Sequence, residues 1–331
     1  MMNYEIFKEV VAEKFKDYLP EKYQDMTLRM ESVNKVNKNL DGLTLISDDA
    51  GRNVSPTIYI NDMYDHYLKT ENLQEVLESA AKTMERAFSE VPVVGSLDFD
   101  NAKDNIVFQV INTVQNQDML RDMPHREFQD LSIIYRWVVK IDEQGIQSSM
   151  VRNNFAKQLG MTEEQLFKCA VENTRRILPP TVKSMNEVIR EMFISDGMPL
   201  EVADMMIGEI PEDKMMWVIS NERGINGAGS MLYEDNLHKL AMKLETDLYI
   251  LPSSVHECIA VSTDMGDPYE LAEMVNEINM GQVALEDRLS NQVYHYDKDA
   301  RRLTLATDTP NKRLDGIVAE AQLIYDSGKS R

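Results

Sequence analysis

Serine, histidine and carboxylate stand together in Ser253-Ser254-Val255-His256-Glu257, the ingredients of nucleophilic catalysis, where a base takes a hydroxyl proton and a carboxylate orients the base. Val255 to Ser262 reads as a strand from its apolar, β-branched run. On a strand His256 and Glu257 point to opposite faces, while Ser254 and His256 share a face about 6–7 Å apart. That geometry separates the carboxylate from the imidazole it would have to orient. Ser253 and Ser254 also suit the turn after Pro252, where hydroxyls satisfy backbone groups. A zinc-protease helix is excluded because position 260 is Ala where H-E-x-x-H needs His.

A second site rests on Gly224-Ile225-Asn226-Gly227-Ala228-Gly229-Ser230, which follows Asn221 between an expected strand and helix. In that context backbone N–H groups and a helix start can hold an anion. The phosphate-loop pattern is incomplete, since Ser230 follows Gly229 with no lysine between them, and a dinucleotide fingerprint fails at Leu232. The competing reading is a connection whose glycines permit positive φ. Asn221, Gly227, Gly229, Ser253, Ser254, His256 and Glu257 together form the candidate pocket.

His125, Arg126, Asp130 and Arg136 are a dense polar group beside an apolar run, suited to an anion or to structural ion pairs. His66, His238 and His295 stand apart from one another and from carboxylates or cysteines at ligand spacing, so neither a metal site nor a cofactor is expected. Cys169 lies beside the buried stripe of an expected helix and reads as a packed thiol. Tyr294 and Tyr296 alternate in a hairpin and are expected to pack across strands.

These groups must be held by a mixed set of elements. Helical spacing predicts helices from Tyr4 to Tyr18, from Asn61 to Phe88 with a break near Thr70-Glu71-Asn72, and from Asp235 to Glu245. The capping box Thr162-Glu163-Glu164-Gln165 starts another. Asp267-Pro268-Tyr269-Glu270 starts a helix expected to bury Leu271, Met274, Val275 and Ile278. A closing helix is expected from Leu314 to Tyr325. Strands are expected over Met26–Val36, Leu40–Ser47, Ser55–Ile60, 91–97, 105–111, Asp130–Ile141, Met215–Ser220 and Leu248–Leu251, with a hairpin over Gln292–Tyr296 and Arg301–Ala306. Neighbouring strands often lack an intervening helix, which predicts an α+β fold with mixed or antiparallel sheets flanked by helices.

With 331 residues, 43% hydrophobic and 27% charged, the chain has the composition of a folded protein long enough for two lobes. The net charge is −21, and the stretch 191–287 holds 20 acidic and 4 basic residues. This shift places the expected lobes at 1–190 and 191–331. A surface so negative disfavours nucleic acid and anionic membranes and suits a basic protein, while a pocket could take a small molecule. The chain has two cysteines, which suits a reducing, cytoplasmic setting. No stretch reads as a signal peptide or a membrane span. The 22 methionines either fill core gaps or build adaptable binding faces, and the spacing of Met242 and Met274 points to the core.

The segments PTIYIND, MPHREFQDLSIIYRWVV, VENTRRILPPTVKSM, WVISNERGINGAGSMLY and DLYILPSSVHE occur in this order. On them, most of the chain resembles an uncharacterised domain-of-unknown-function family of anaerobic Gram-positive bacteria. The resemblance implies a cytoplasmic bacterial protein and brings no established activity, cofactor or partner. It draws attention to Arg126–Val138, Asn221–Tyr233 and Leu251–Glu257. The expected function is a non-enzymatic binding protein; the alternative is a hydrolase using His256 with Ser253 or Ser254 and the Gly224–Gly229 loop.

Overall fold

Asn3 accepts the amide of Ile6 at 2.9 Å and so starts the first helix, α1, Tyr4–Lys14. The computed structural model describes residues 1–46, 56–90, 101–142, 145–208, 210–211, 214–307 and 314. The chain divides into two units, Met1–Asp98 and Phe99–Arg331.

In the first unit α1 is followed by β1 (Thr27–Lys35), β2 (Lys38–Ile46), β3 (Thr57–Tyr59), α2 (Ile60–Thr70) and α3 (Leu73–Glu90). The three strands form an antiparallel sheet in the order β1-β2-β3. Asn37 turns the β1–β2 hairpin at φ 60, a left-handed conformation that Asn tolerates. The expected helix break falls at Glu71, whose left-handed backbone returns its N–H to Tyr67 O and ends α2. Phe7, Val11, Phe15, Leu43, Ile60 and Leu77 form the centre of this unit's core, each contributing about 1.5–3 kcal/mol by burial.

The second unit runs β4 (Ile106–Asn112), α4 (Gln117–Leu120), β5 (His125–Phe128), β6 (Leu131–Asp142), β7 (Gly145–Met150), α5 (Asn153–Gln158) and α6 (Glu163–Ile177). It continues with β8 (Pro180–Ser184), α7 (Met185–Ser195), α8 (Leu200–Ile207), β9 (Trp217–Asn221), α9 (Glu234–Leu244), β10 (Leu248–Leu251), β11 (Cys258–Ser262), α10 (Pro268–Gly281), β12 (Tyr294–Asp297) and β13 (Arg302–Leu305). β6 pairs with β4 on one side and with β5 and β7 on the other. The larger sheet has the order β13-β12-β10-β11-β9-β8. Every strand pair is antiparallel, within the expected α+β class.

Several expectations change. The lobe boundary expected at 190 falls inside the second unit, where β8 and β9 pair across it; a charge shift marks a surface and leaves a hydrogen-bonded sheet intact. β11 begins at Cys258 instead of Val255, so His256 and Glu257 precede the strand. β5, β7 and β8 escape prediction because they are short and polar, and β8 opens with Pro180. Met242 is 57% and Met274 43% exposed. The buried stripe of α9 runs through Leu237, Leu240 and Ala241, that of α10 through Ala272, Val275 and Asn279; each methionine sits one residue off it, about 100° round the helix. The strand expected over 91–97 lies outside the described residues, as does all but Leu314 of the closing helix.

Candidate functional site

The segment 252–256 is stitched on two sides by backbone. Ala228 N donates to Val255 O at 3.2 Å, Val255 N to Asp287 O at 2.7 Å, Leu289 N to Ser253 O at 2.9 Å and Ser290 N to Pro252 O at 2.9 Å. Ser220 Oγ donates to His256 O at 2.8 Å. His256 thus lies between the glycine-rich loop and the 287–290 segment.

Both imidazole nitrogens are engaged. Asn226 N–H donates to Nδ1 at 3.2 Å, and Nε2 faces Asp287 Oδ1 at 3.2 Å. A nitrogen that accepts an amide proton carries none, so Nε2 holds the hydrogen and donates it to Asp287. The orienting carboxylate is therefore Asp287, 31 residues downstream, and Glu257 has no part in it. Ser254 Oγ accepts the His256 amide at 3.0 Å. With one nitrogen on an amide and the other on a carboxylate, the ring has no lone pair left for a serine proton. The group works as a clamp between loops.

The glycine-rich loop spends its amides internally. Arg223 N donates to Asn221 Oδ1, Gly224 N to Asn221 O, Asn226 N to His256 and Ala228 N to Val255 O. Asn221 Nδ2 closes the turn on Ile225 O at 2.9 Å. Gly227 and Gly229 are buried. A Cβ on Gly227 would lie 2.2 Å from Ser220 Oγ and 2.6 Å from His256 O, and one on Gly229 would lie 2.7 Å from Phe108. These glycines serve close backbone packing, and the amides of Gly224, Asn226 and Ala228 already have acceptors.

The loop continues into a polar chain that sequence gave no means of finding. Asn226 Oδ1 accepts Gln109 Nε2 at 2.9 Å, and Gln109 Oε1 accepts Arg136 Nη1 at 3.4 Å. Arg136 also donates to Ser148 Oγ at 2.9 Å. Among the described residues it makes no ion pair, and burial pushes its pKa down.

The second candidate group disperses. Arg126 takes Glu163 in a two-pronged pair at 3.1 and 2.9 Å, reaches Glu164 at 2.5 Å and lies 4.0 Å over the Phe167 ring. His125 Nδ1 turns back to Met123 O at 2.9 Å. Asp130 accepts Ser290 Oγ at 2.6 Å and the Tyr294 hydroxyl. Burial pushes the Asp130 carboxyl up, and burial together with Asp130 pushes the Tyr294 phenol up. Tyr294 and Tyr296 are fully buried, as cross-strand packing requires. Cys258 is buried with its thiol pushed up, and Cys169 Sγ donates to Leu166 O at 3.3 Å. Among the described residues, no cluster of three or more His, Cys, Asp or Glu could hold a metal ion, and no helix is long and apolar enough to cross a membrane.

Two open surfaces of the second unit stand out among the described residues. One is a cleft of about 680 Å³ lined by residues of β8, α7, β9 and α9, Trp217, Lys239 and Lys243 among them. The other is the α7–α8 hairpin. α7 buries no residue and α8 buries only Ala203, whereas Met192 is 52%, Leu200 53%, Met205 77% and Met206 62% exposed. The hairpin is fixed internally by Arg190 Nε to Asp204 Oδ1 at 2.6 Å and Met198 N to Phe193 O at 2.9 Å.

No curated protein and no solved structure matches the chain. Residues 4–298 match the model of the family of unknown function DUF5688, and the chain belongs to that family.

Proposed function

We propose that this chain is a binding protein of a bacterial cytoplasm, and that its partner is a basic amphipathic helix of another protein, taken up on the α7–α8 hairpin. The observation that carries this reading is the exposure of Met192, Leu200, Met205 and Met206 on two helices that between them fully bury only Ala203. Large apolar side chains exposed on one hairpin are unfavourable in water unless something covers them, and methionine adapts its shape to an apolar stripe.

Charge selects the occupant. Between residues 184 and 208 five carboxylates stand against one guanidinium, Arg190, and that guanidinium pairs with Asp204. A lysine-rich helix complements this rim, whereas a net charge of −21 repels nucleic acid and anionic lipid. Two cysteines, both free, support a reducing compartment.

The test is calorimetric titration with a synthetic helix of roughly 20 residues, leucine on one face and lysine on the other. Saturable binding that Met192→Ser, Met205→Ser and Met206→Ser together weaken roughly tenfold, while Met274→Ser leaves it unchanged, is the expected result. Equal affinity in all variants would mean charge attraction alone, and self-association through the same methionines would make a second copy the occupant; either outcome ends the reading.

A further inference from the structure

The 191–287 stretch has only four basic residues, Lys214, Arg223, Lys239 and Lys243, and two of them line the cleft beside Trp217. Asn236, Lys239 and Lys243 follow one another at three- and four-residue steps along α9, which places them on one face. Arg190, on the same wall as Asn186, also lines the cleft, its Nε paired with Asp204 Oδ1 at 2.6 Å. The one carboxylate in the lining, Glu187, is held by Ser184 N and Oγ at 2.7 and 2.8 Å.

Like charges four residues apart on a helix repel each other. Glu187 acts on Lys243 and Asp235 on Lys239, and an anion bound between the two lysines offsets the repulsion that is left. The wall also contains an unsatisfied donor: Trp217 is 7% exposed, and its Nε1 has no hydrogen-bond partner. Buried polar atoms are ordinarily paired, and the residue that carries this orphan N–H is part of the cleft wall. Lys243 Nζ lies 4.3 Å over the Trp217 ring, which joins cation and indole in one patch. The volume falls in the range of ligand pockets, roughly 300–1,000 Å³.

We infer that this cleft binds a small organic anion, its oxyanion group held by Lys239 and Lys243, with Asn186 and Asn236 as the polar contacts and Trp217 in the wall beside it. The cleft shares α7 with the partner-binding hairpin, but its ligand and its test are separate from that reading.

Trp137→Phe leaves Trp217 as the only tryptophan of the two in the chain and its emission as the reporter. The full-length variant is titrated at constant ionic strength with citrate, with inorganic pyrophosphate and with neutral glycerol. The expected result is a saturable change with citrate or with pyrophosphate and none with glycerol; the anion that saturates tells a carboxylate ligand from a phosphate ligand. Lys239→Gln with Lys243→Gln is expected to weaken that affinity roughly tenfold or more. Calorimetry on the unsubstituted chain repeats the titration without reliance on Trp137→Phe. Absence of saturation with both anions, or an affinity that the double substitution leaves unchanged, overturns the inference.

Discussion

Asn226 gives its backbone N–H to the Nδ1 of His256 at 3.2 Å. Asn226 itself sits in the left-handed region at φ 52, so the ring of a residue 30 positions away completes the hydrogen bonding of a turn. Truncating the ring in His256→Ala removes the acceptor of that amide and the partner of Asp287. A loss of about 1–3 kcal/mol is expected from the unpaired group, read as a shift of the urea midpoint with the slope unchanged.

Two glycines of the same loop separate packing from backbone freedom. Gly227→Ala drives a Cβ to 2.2 Å from Ser220 Oγ and 2.6 Å from His256 O, and a loss of about 3 kcal/mol is expected because backbone must move. Gly224→Ala has open space around it but keeps φ at +63, which costs about 1–2 kcal/mol. Side-by-side thermal melts should rank Gly227→Ala clearly below Gly224→Ala.

Asp130 ties the β5–β6 turn to Ser290 and Tyr294, 160 and 164 residues away. Asp130→Ala leaves both hydroxyls buried without their acceptor and is expected to lose about 2–4 kcal/mol. Burial raises the folded carboxyl above its ordinary value of 3.8, so the folded state holds this proton more tightly than the unfolded chain. Acidification through the interval between the two values adds stability. The wild type should therefore gain on Asp130→Asn as pH falls from neutrality toward 3.8, measured as the difference between paired denaturation curves.

Glu234 behaves in the opposite sense. A two-pronged pair with Arg301 at 2.7 and 2.6 Å, helped by the Tyr296 hydroxyl at 2.5 Å, holds its pKa at about 2 against an ordinary 4.5. The stabilisation is complete above 4.5 and is lost as pH falls to about 2. Glu234→Gln should lie slightly below the wild type at neutral pH, a small loss because Arg301 is exposed and Glu234 only half-buried. The two curves should converge across that acid window.

The sequence by itself determined the local elements. The capping box at Thr162 forms with Gln165 as read, Asp267 caps α10 by accepting Tyr269 N at 2.8 Å, and the β1–β2 hairpin turns where Asn37 allows it. Such features depend on residues three or four positions apart, so spacing carries them. Membership of a family of unknown function was legible by resemblance, in motifs spread over most of the chain.

Only the tertiary structure decided which groups meet. Asp287 reaches His256 across 31 residues, Gln109 reaches Asn226 across 117 and Tyr294 reaches Asp130 across 164; no periodicity encodes contacts made by folding a long chain back on itself. The tertiary structure also decided the fate of the methionines. A period of 3.6 marks an apolar stripe but leaves open which side of a helix finds a neighbour, and on α7 and α8 only Ala203 is fully buried.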